Sequence, residues 1–473
     1  MTTRNLQGRD QETIIALCTP RGHGAIALVR LSGKDAFAIA DSFAQLSSRT
    51  SITNVASHTI HHGYVVAKTL DEPVIIDEVM FLVMDAPKTF TGQPTVEITC
   101  HNNPFIIDGI ISLAIKHGAR SADHGEFTKR AFLSGKIDLV QAEAINDVIH
   151  AQTELALRKS MEQLQGSFSQ FLAQLEEQLV LLLCSVEASF EFLDEEQRDL
   201  AFDTNIKHQL STIAQDIKKA LQHYNNQQQI KQGIRIALCG AVNAGKSTLF
   251  NTLLHQQRAI VTDIAGTTRD SIESAIYKNG TFMLFVDTAG LRSTDDIIEQ
   301  QGIERSYHEA AQADIILLVL DATKELTQTQ LDDYQSLIDR YPEKVIIVEN
   351  KIDQCSPAML EAKNRFTSCA AHVRLSAHTK VGIETLEKVI EEKVQTLFKT
   401  LQSPFLLNQR QHSVLAEIDK KIDFIVTEGQ HALHYELMAY HLKEALEILA
   451  QATGKNITER LLDAVFSTFC VGK

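Results

Sequence analysis

The spacing of apolar residues changes character four times along the chain. Over residues 1 to about 125, short apolar runs (Ile26–Leu31, Val79–Met84, Val96–Ile98) alternate with glycine, proline and aspartate, and a helical stretch lies near Phe105–Lys116. That mixture predicts an α/β domain. From about Lys129 to Gln229 the period is helical. Phe168, Phe171, Leu175, Leu179, Leu182, Val186 and Phe190 follow one another at intervals of three or four, and the segment holds no proline and only Gly135 and Gly166. An apolar stripe of this length predicts a long bundle helix. From about Thr396 to Lys473 the helical period returns, with Val414, Ile418, Ile422 and Ile425 on one face and Met438, Leu442, Ala445 and Leu449 on another.

Between the two helical blocks, from Gly233 to about Lys393, strands and helices alternate. IRIALCG, TFMLFVD, ADIILLVLD and KVIIVEN are short apolar strands, each followed by polar, helix-compatible sequence, which is the pattern of a mostly parallel sheet. SIESAIY and TFMLFVD flank Lys278-Asn279-Gly280, so an Asn-Gly turn joins them as a hairpin. One antiparallel pair within a parallel sheet is the arrangement of a Ras-like GTPase domain. The expected class is therefore α/β plus all-α, with a compact α/β domain inserted into a helical one. The divisions fall at 1–128, 129–230, 231–394 and 395–473.

Composition adds limits. A length of 473 residues suits roughly three domains. The net charge of −15, from 60 acidic against 45 basic residues, argues against binding nucleic acid through bulk charge, and leaves room for a local basic groove or a partner that brings one. The seven cysteines are scattered, odd in number and form no C-x-x-C pair, which fits a reducing cytosol and no disulfide framework. The first residues lack the apolar core of a secretion signal, and the longest pure apolar runs reach six residues, far short of the ~20 that span a bilayer. A soluble, cytoplasmic protein with no membrane contact is expected.

Gly240-Ala-Val-Asn243-Ala244-Gly245-Lys246-Ser247-Thr248 fits the phosphate-loop pattern G-x-x-x-x-G-K-[ST], follows a strand and precedes a helix-compatible stretch. Its glycines let backbone N–H groups turn toward phosphate oxygens, Lys246 reaches the β- and γ-phosphates, and Ser247 offers a Mg²⁺ ligand. Asp287-Thr288-Ala289-Gly290 closes the next strand, where a carboxylate can hold Mg²⁺ through water and the Gly290 N–H can sense the γ-phosphate. In Asn350-Lys351-Ile352-Asp353, Asp353 can accept guanine N1–H and the 2-amino group, a donor pair adenine lacks, and Ser376-Ala377 fits the loop beside the guanine oxygen. The four signals together read GTP. After DTAG comes Leu291 and not a water-positioning glutamine, and Arg269 and Arg292 read equally as structural arginines, so another group must supply charge and orient water.

Further motifs narrow the family. Val261-Thr262-Asp263-Ile264-Ala265-Gly266-Thr267-Thr268-Arg269-Asp270, set between NAGKST and DTAGLR, resembles the TrmE–Era–Era-like branch of GTPases. The N-terminal block adds Thr19-Pro-Arg-Gly22, Ile26-Ala-Leu-Val-Arg30-Leu-Ser-Gly33, Phe90-Thr-Gly92 and Val96-Glu97-Ile98. It also holds GEFTKRAFLSGKIDLVQAEA from Gly125 to Ala144, and the chain ends in Cys470-Val-Gly-Lys473. Over essentially its full length the chain resembles the MnmE (TrmE) family of tRNA-modification GTPases.

The resemblance implies roles for particular residues. Asn243, Thr262, Ile264 and Thr267 match K⁺ ligands, Thr268 a second Mg²⁺ ligand beside Ser247, and Glu299 a glutamate that orients the attacking water. Arg30, Glu97 and Lys136, with Lys473 of the tail, match contacts to a 5-formyl- or methylene-tetrahydrofolate in a folate-binding-like N-terminal domain that forms a homodimer. Cys470 is a candidate residue near the modification site. With the FAD-dependent partner MnmG, in a heterotetramer, such a protein adds an aminomethyl or carboxymethylaminomethyl group to C5 of a tRNA wobble uridine. Two departures stand out: Cys100-His101-Asn102-Asn103-Pro104 replaces the family's usual Gly-His-Gly-Gly, and His378 stands where lysine is usual. The alternative is a regulatory or ribosome-assembly GTPase that only switches binding; against it, the chain has one phosphate loop and no basic appendage.

Overall fold

The computed structural model describes residues 8–22, 24–68, 72–192, 200–222, 224, 231, 233–256, 273–278, 280–287, 309–356, 366, 371–399, 404–428 and 435–472. They group into two compact units. The first comprises Met1–Asn146, Glu162–Ala214 and Ser413–Lys473, and the second Asp147–Met161 and Gln215–His412. In chain order the elements begin with β1 (Ile14–Leu17), β2 (Ile26–Ser32), α1 (Ala36–Phe43), β3 (Ala44–Leu46), β4 (Thr59–Lys68), β5 (Pro73–Met84), β6 (Thr95–His101), α2 (Pro104–Lys116) and β7 (Arg120–Ser121). Helices α3 (Glu126–Leu133), α4 (Leu139–His150), α5 (Glu154–Leu164), α6 (Ser167–Phe192) and α7 (Leu200–Leu221) follow. Then come β8 (Ile234–Cys239), α8 (Lys246–Gln256), β9 (Glu273–Lys278), β10 (Thr281–Asp287), β11 (Ile315–Asp321), α9 (Gln328–Arg340), β12 (Val345–Asn350), β13 (His372–Arg374) and α10 (Ile383–Lys399). The chain closes with α11 (Gln409–Glu428), α12 (Tyr435–Ala452) and α13 (Glu459–Phe466).

The first unit holds a seven-stranded sheet of order β3-β4-β5-β6-β2-β1-β7. Alternation puts Ala27, Val29 and Leu31 of β2, Val79, Phe81 and Val83 of β5, and Val96, Ile98 and Cys100 of β6 on one face, where they pack with Ile39, Ala40 and Phe43 of α1 and Ile107, Ile110 and Ala114 of α2. The intervening residues turn to the opposite face. There β2 and β6 pair so that Arg30 stands directly across from Glu97. The long stripe on α6 is buried at Phe168, Leu175, Leu179, Leu182 and Val186, and meets α12, which buries Met438, Leu442, Ala445 and Leu449. Two expected positions move by one residue: Leu172 takes the place of Phe171, and Leu415 that of Val414. In each pair the two residues sit one helical step (100°) apart on opposite flanks of the apolar face, and the inner flank is the one that is buried. Helix α13 packs on α3 through Leu133, Leu462 and Phe466, and the tail follows: the Gly125 N–H donates to Cys470 O at 3.3 Å, and His124 Nδ1 to Phe469 O at 3.1 Å.

The second unit holds a six-stranded sheet of order β13-β12-β11-β8-β10-β9. Every pairing is parallel except β9 with β10, the hairpin predicted from the Asn-Gly turn. Strand β8 sits between β10 and β11, so the chain reverses its direction of winding there. Loops at the carboxyl ends of strands flanking such a point form a cleft. Gly240, Asp287, Asp321 and Asn350 all fall at those ends. Among the described residues no helix is long and apolar enough to cross a membrane.

Candidate functional site

The phosphate loop turns directly out of β8. Gly240 has φ +140 and a Cβ there would lie 2.1 Å from Val319 O; Gly245 has φ +95 and a Cβ would lie 2.2 Å from Asn350 Nδ2. Neither position admits a side chain. Asn243, at φ 64, adopts the left-handed conformation with a side chain attached. Helix α8 starts at Lys246, which places its N-terminal partial positive charge at the loop mouth. Lys246 is buried and folds back to donate to Gly240 O at 2.7 Å and Ala241 O at 2.9 Å, so the loop holds its own cation over the space it encloses. Ser247 and Asn243 are exposed at the mouth. Their hydroxyl and amide oxygens are the hard donors that Mg²⁺ and K⁺ accept, so the described part of the loop fits both.

Asn350 joins this loop to the base loop. Its side chain is buried; Nδ2 donates to Ala244 O at 2.9 Å, and Oδ1 accepts the Lys351 N–H at 2.8 Å and the Ala377 N–H at 3.0 Å. Both ends of the amide are engaged within the protein. Asn350 therefore ties the two loops together. Lys351 is left-handed at φ 66, and the turn it makes sets Asp353, exposed, on a short 3₁₀ helix. Ser376 is fully buried, its Oγ accepting the Thr379 N–H at 3.1 Å. Ala377 O accepts Thr252 Oγ1 from α8 at 3.0 Å, a tie that no sequence motif announces. Asp321 is a further residue absent from the motif reading. Its Oδ2 accepts Lys351 Nζ at 2.7 Å, and its Oδ1 accepts Thr323 Oγ1 at 2.6 Å and the Thr323 N–H at 3.0 Å. Partial burial would raise its pKa; the bonds from Lys351 and Thr323 outweigh that and hold it below the usual carboxylate range.

Asp287 ends β10 beside Leu238 in the parallel register. Thr262, Asp263, Ile264, Ala265, Gly266, Thr267, Thr268, Thr288, Ala289, Gly290, Glu299 and Lys473 lie outside the described residues.

In the first unit Arg30 and Glu97 come together as a salt bridge, Nε to Oε1 at 2.8 Å. The Arg30 guanidinium also lies 5.5 Å from the Phe90 ring centroid and 5.4 Å from that of Phe127. Lys136, in the turn after α3, lies beside the Phe90-Thr91-Gly92 turn: its Cε is 3.7 Å from where a Cβ on Gly92 would sit. Phe127 is fully buried and backs Arg30 from the core, whereas Phe90 is exposed; an acid, a cation and one accessible aromatic ring match the donor edge and flat rings of a pterin, so these residues fit a folate. Glu97 is engaged with Arg30 and would have to exchange that bond to pair with a ligand.

Beneath this site runs a buried ion network. Glu126 accepts Arg120 Nη2 at 2.7 Å and Arg130 Nη2 at 2.8 Å, and Arg130 Nη1 donates to Gln93 Oε1 at 2.9 Å, next to the Phe90-Thr91-Gly92 turn. At the substituted turn, Asn102 Nδ2 donates to Gly22 O at 2.9 Å, and Asn103 Oδ1 caps α2 by accepting the Phe105 N–H at 2.9 Å. The two asparagines thus supply fixed bonds at the positions where glycine is usual.

Two family models match the chain. One described as the GTP-binding protein TrmE N-terminus covers residues 13–136, and one described as the MnmE helical domain covers residues 139–470. The chain belongs to the MnmE/TrmE family. Among curated relatives, the tRNA modification GTPase MnmE of Lachnoclostridium phytofermentans is 36% identical, the match spanning 98% of this chain and 99% of that protein. That of Thermotoga petrophila is 36% identical over 98% of this chain and 100% of its own, and that of Bacillus subtilis is 34% identical over the same shares. The similarity to MnmE proteins therefore runs through both units.

Proposed function

We propose that this chain is a GTP hydrolase acting in tRNA modification. One observation carries the reading. Asn350 locks a phosphate loop to a base loop, inside a chain that aligns over 98% of its length with proteins named tRNA modification GTPase MnmE. The backbone N–H groups of residues 243–247 and the start of α8 take the nucleotide's β- and γ-phosphates, and Lys246 leaves its two carbonyls to donate to the same oxygens. Asp353 accepts the guanine N1–H and 2-amino group, with Ser376 and Ala377 alongside. Ser247 and Thr268 would hold Mg²⁺, and Asn243, Thr262, Ile264 and Thr267 would hold K⁺; when bound, these cations offset charge developing between the β- and γ-phosphates. Glu299 orients the attacking water.

Arg30, Glu97, Lys136 and Lys473 bind a 5-formyl- or methylene-tetrahydrofolate, which supplies a one-carbon unit. Cys470 stays near the reacting base. The chain works as a cytoplasmic homodimer with the FAD-dependent MnmG, assembled as a heterotetramer, and installs an aminomethyl or carboxymethylaminomethyl group at C5 of the wobble uridine. GTP cleavage drives association and dissociation of the GTPase domains and leaves the base chemistry to the other sites.

Two assays on the purified full chain test this. GTP turnover should exceed ATP turnover by at least about 10³-fold and rise when K⁺ replaces Na⁺ at fixed ionic strength. Calorimetry should detect 5-formyl-tetrahydrofolate binding that Arg30→Ala abolishes. Equal use of ATP would refute the nucleotide assignment, turnover indifferent to K⁺ would refute the K⁺ assignment, and no folate heat would refute the one-carbon assignment.

A further inference from the structure

Strands β8, β11 and β12 are neighbours in the sheet, and the end of β11, the residue after β12 and the loop after β8 are linked in a chain of bonds. Asp321 ends β11 and stands in register with Asn350, the last residue of β12. Lys351 follows immediately. Its Nζ donates to Asp321 Oδ2 at 2.7 Å and to Asn243 O, in the phosphate loop, at 2.7 Å. The Asp321 carboxylate is itself fixed from behind by the Thr323 N–H and hydroxyl, so it cannot swing to follow a moving lysine. The lysine and the residue whose carbonyl it holds both adopt costly backbone conformations: Asn243 has φ 64 and Lys351 has φ 66. Each is left-handed with a side chain attached, a state that surrounding contacts must hold in place. The Asp321 side chain is only 10% exposed and that of Lys351 27%, so their charge-assisted bond is partly shielded from water.

We propose that Asp321 is a positioning residue for guanine nucleotide binding, acting through Lys351 to hold the phosphate loop and the base loop in one fixed relation. The carboxylate selects the one arrangement of Lys351 that reaches the Asn243 carbonyl. That bond stabilises the left-handed turn of the phosphate loop while the same residue's backbone sets Asp353. Asn350 makes a second, uncharged tie between the same loops, so loss of Asp321 loosens the cleft without opening it. The consequence is faster nucleotide escape with little change in the chemical step.

The inference rests on reading this cleft as a guanine nucleotide site, and the test separates the two. Release of a fluorescent N-methylanthraniloyl-GDP is followed by stopped flow on the full-length chain, for wild type, Asp321→Asn, Lys351→Met and the double variant. Failure of the wild type to bind the probe would overturn the site itself. Given binding, Asp321→Asn should release GDP about tenfold faster, the scale expected for one charged hydrogen bond. It should raise the KM for GTP by a similar factor and change kcat less than about twofold. The double variant should release no faster than Lys351→Met, because the carboxylate acts only through that lysine. Release at the wild-type rate, or a double variant slower in binding and faster in release by the full product of the two single effects, would overturn the proposal. Should Asp321→Asn fail to fold, Thr323→Val keeps the charge and removes one of the two bonds that fix the carboxylate. It should accelerate release about threefold, and a wild-type rate there would overturn the proposal equally.

Discussion

Replacing Glu126 by glutamine should destabilise the first unit strongly, and only above acidic pH. The carboxylate accepts Arg120 Nη2 at 2.7 Å and Nη1 at 2.9 Å, Arg130 Nη2 at 2.8 Å and the Asp123 N–H at 2.8 Å. Burial alone would raise its pKa. The bonds from Arg120, the Asp123 N–H and the charge of Arg130 outweigh that and bring it from 4.5 down to about 2. A native pKa below the unfolded value stabilises the folded state above the unfolded pKa, and that contribution fades as pH falls from about 4.5 toward about 2. A displacement of this size corresponds to about 3 kcal/mol. Breaking a buried pair by neutralising one partner costs about 3–5 kcal/mol, since Arg130, with 0% of its side chain exposed, keeps its charge. Hydrogen exchange under rising urea, read in peptides spanning Ile14–Leu17 and Ile26–Ser32 of the full chain, measures the opening free energy. Glu126→Gln should lower it by about 3 kcal/mol at pH 7, and the difference should shrink steadily below about pH 4.5. Wild-type protection at pH 7, or a difference that stays constant down to about pH 3, would refute the reasoning.

Other substitutions probe the nucleotide cleft. Gly245→Ala puts a Cβ 2.2 Å from Asn350 Nδ2 at φ +95, and equilibrium titration should find GDP affinity reduced at least about tenfold. Asn350→Ala removes two buried hydrogen bonds and a partly buried one and should lower the second unit's exchange-derived stability by about 2–3 kcal/mol as well as its GDP affinity. Asp353→Asn should reverse base preference, losing about 10⁴ in kcat/KM for GTP and gaining activity with XTP, whose base carries a 2-oxo acceptor in place of guanine's 2-amino donor.

The second unit was largely legible because its strands are short, continuous apolar runs buried on both faces. IRIALC, IILLVLD and VIIVEN are each fully or almost fully buried, and the first and last lead into motifs that need the strand to place them. The first unit's sheet was harder to read. Strand β4, TIHHGYVVAK, buries only Gly63, Val65 and Val66, and its exposed face carries His62 and Ile60, so neither composition nor alternation marks it. Charge was the least legible feature. Glu126, Arg130 and Asp321 stand in the sequence as ordinary charged residues, and nothing in their spacing says that one pair is buried and the other joins two loops. Their roles depend on which residues the fold brings opposite them. For the same reason Arg30 and Glu97 came from family resemblance, whereas their pairing follows from the β2–β6 register.

The most direct test of the account is the tRNA of a strain lacking this gene. Nucleosides would be measured by mass spectrometry in the deletion strain, and after complementation with the wild type or with Asp287→Ala. The account predicts loss of C5-aminomethyl-type wobble uridines on deletion, return with the wild-type gene and no return with the variant. Unchanged nucleosides in a deletion strain with no second copy of the gene would contradict it.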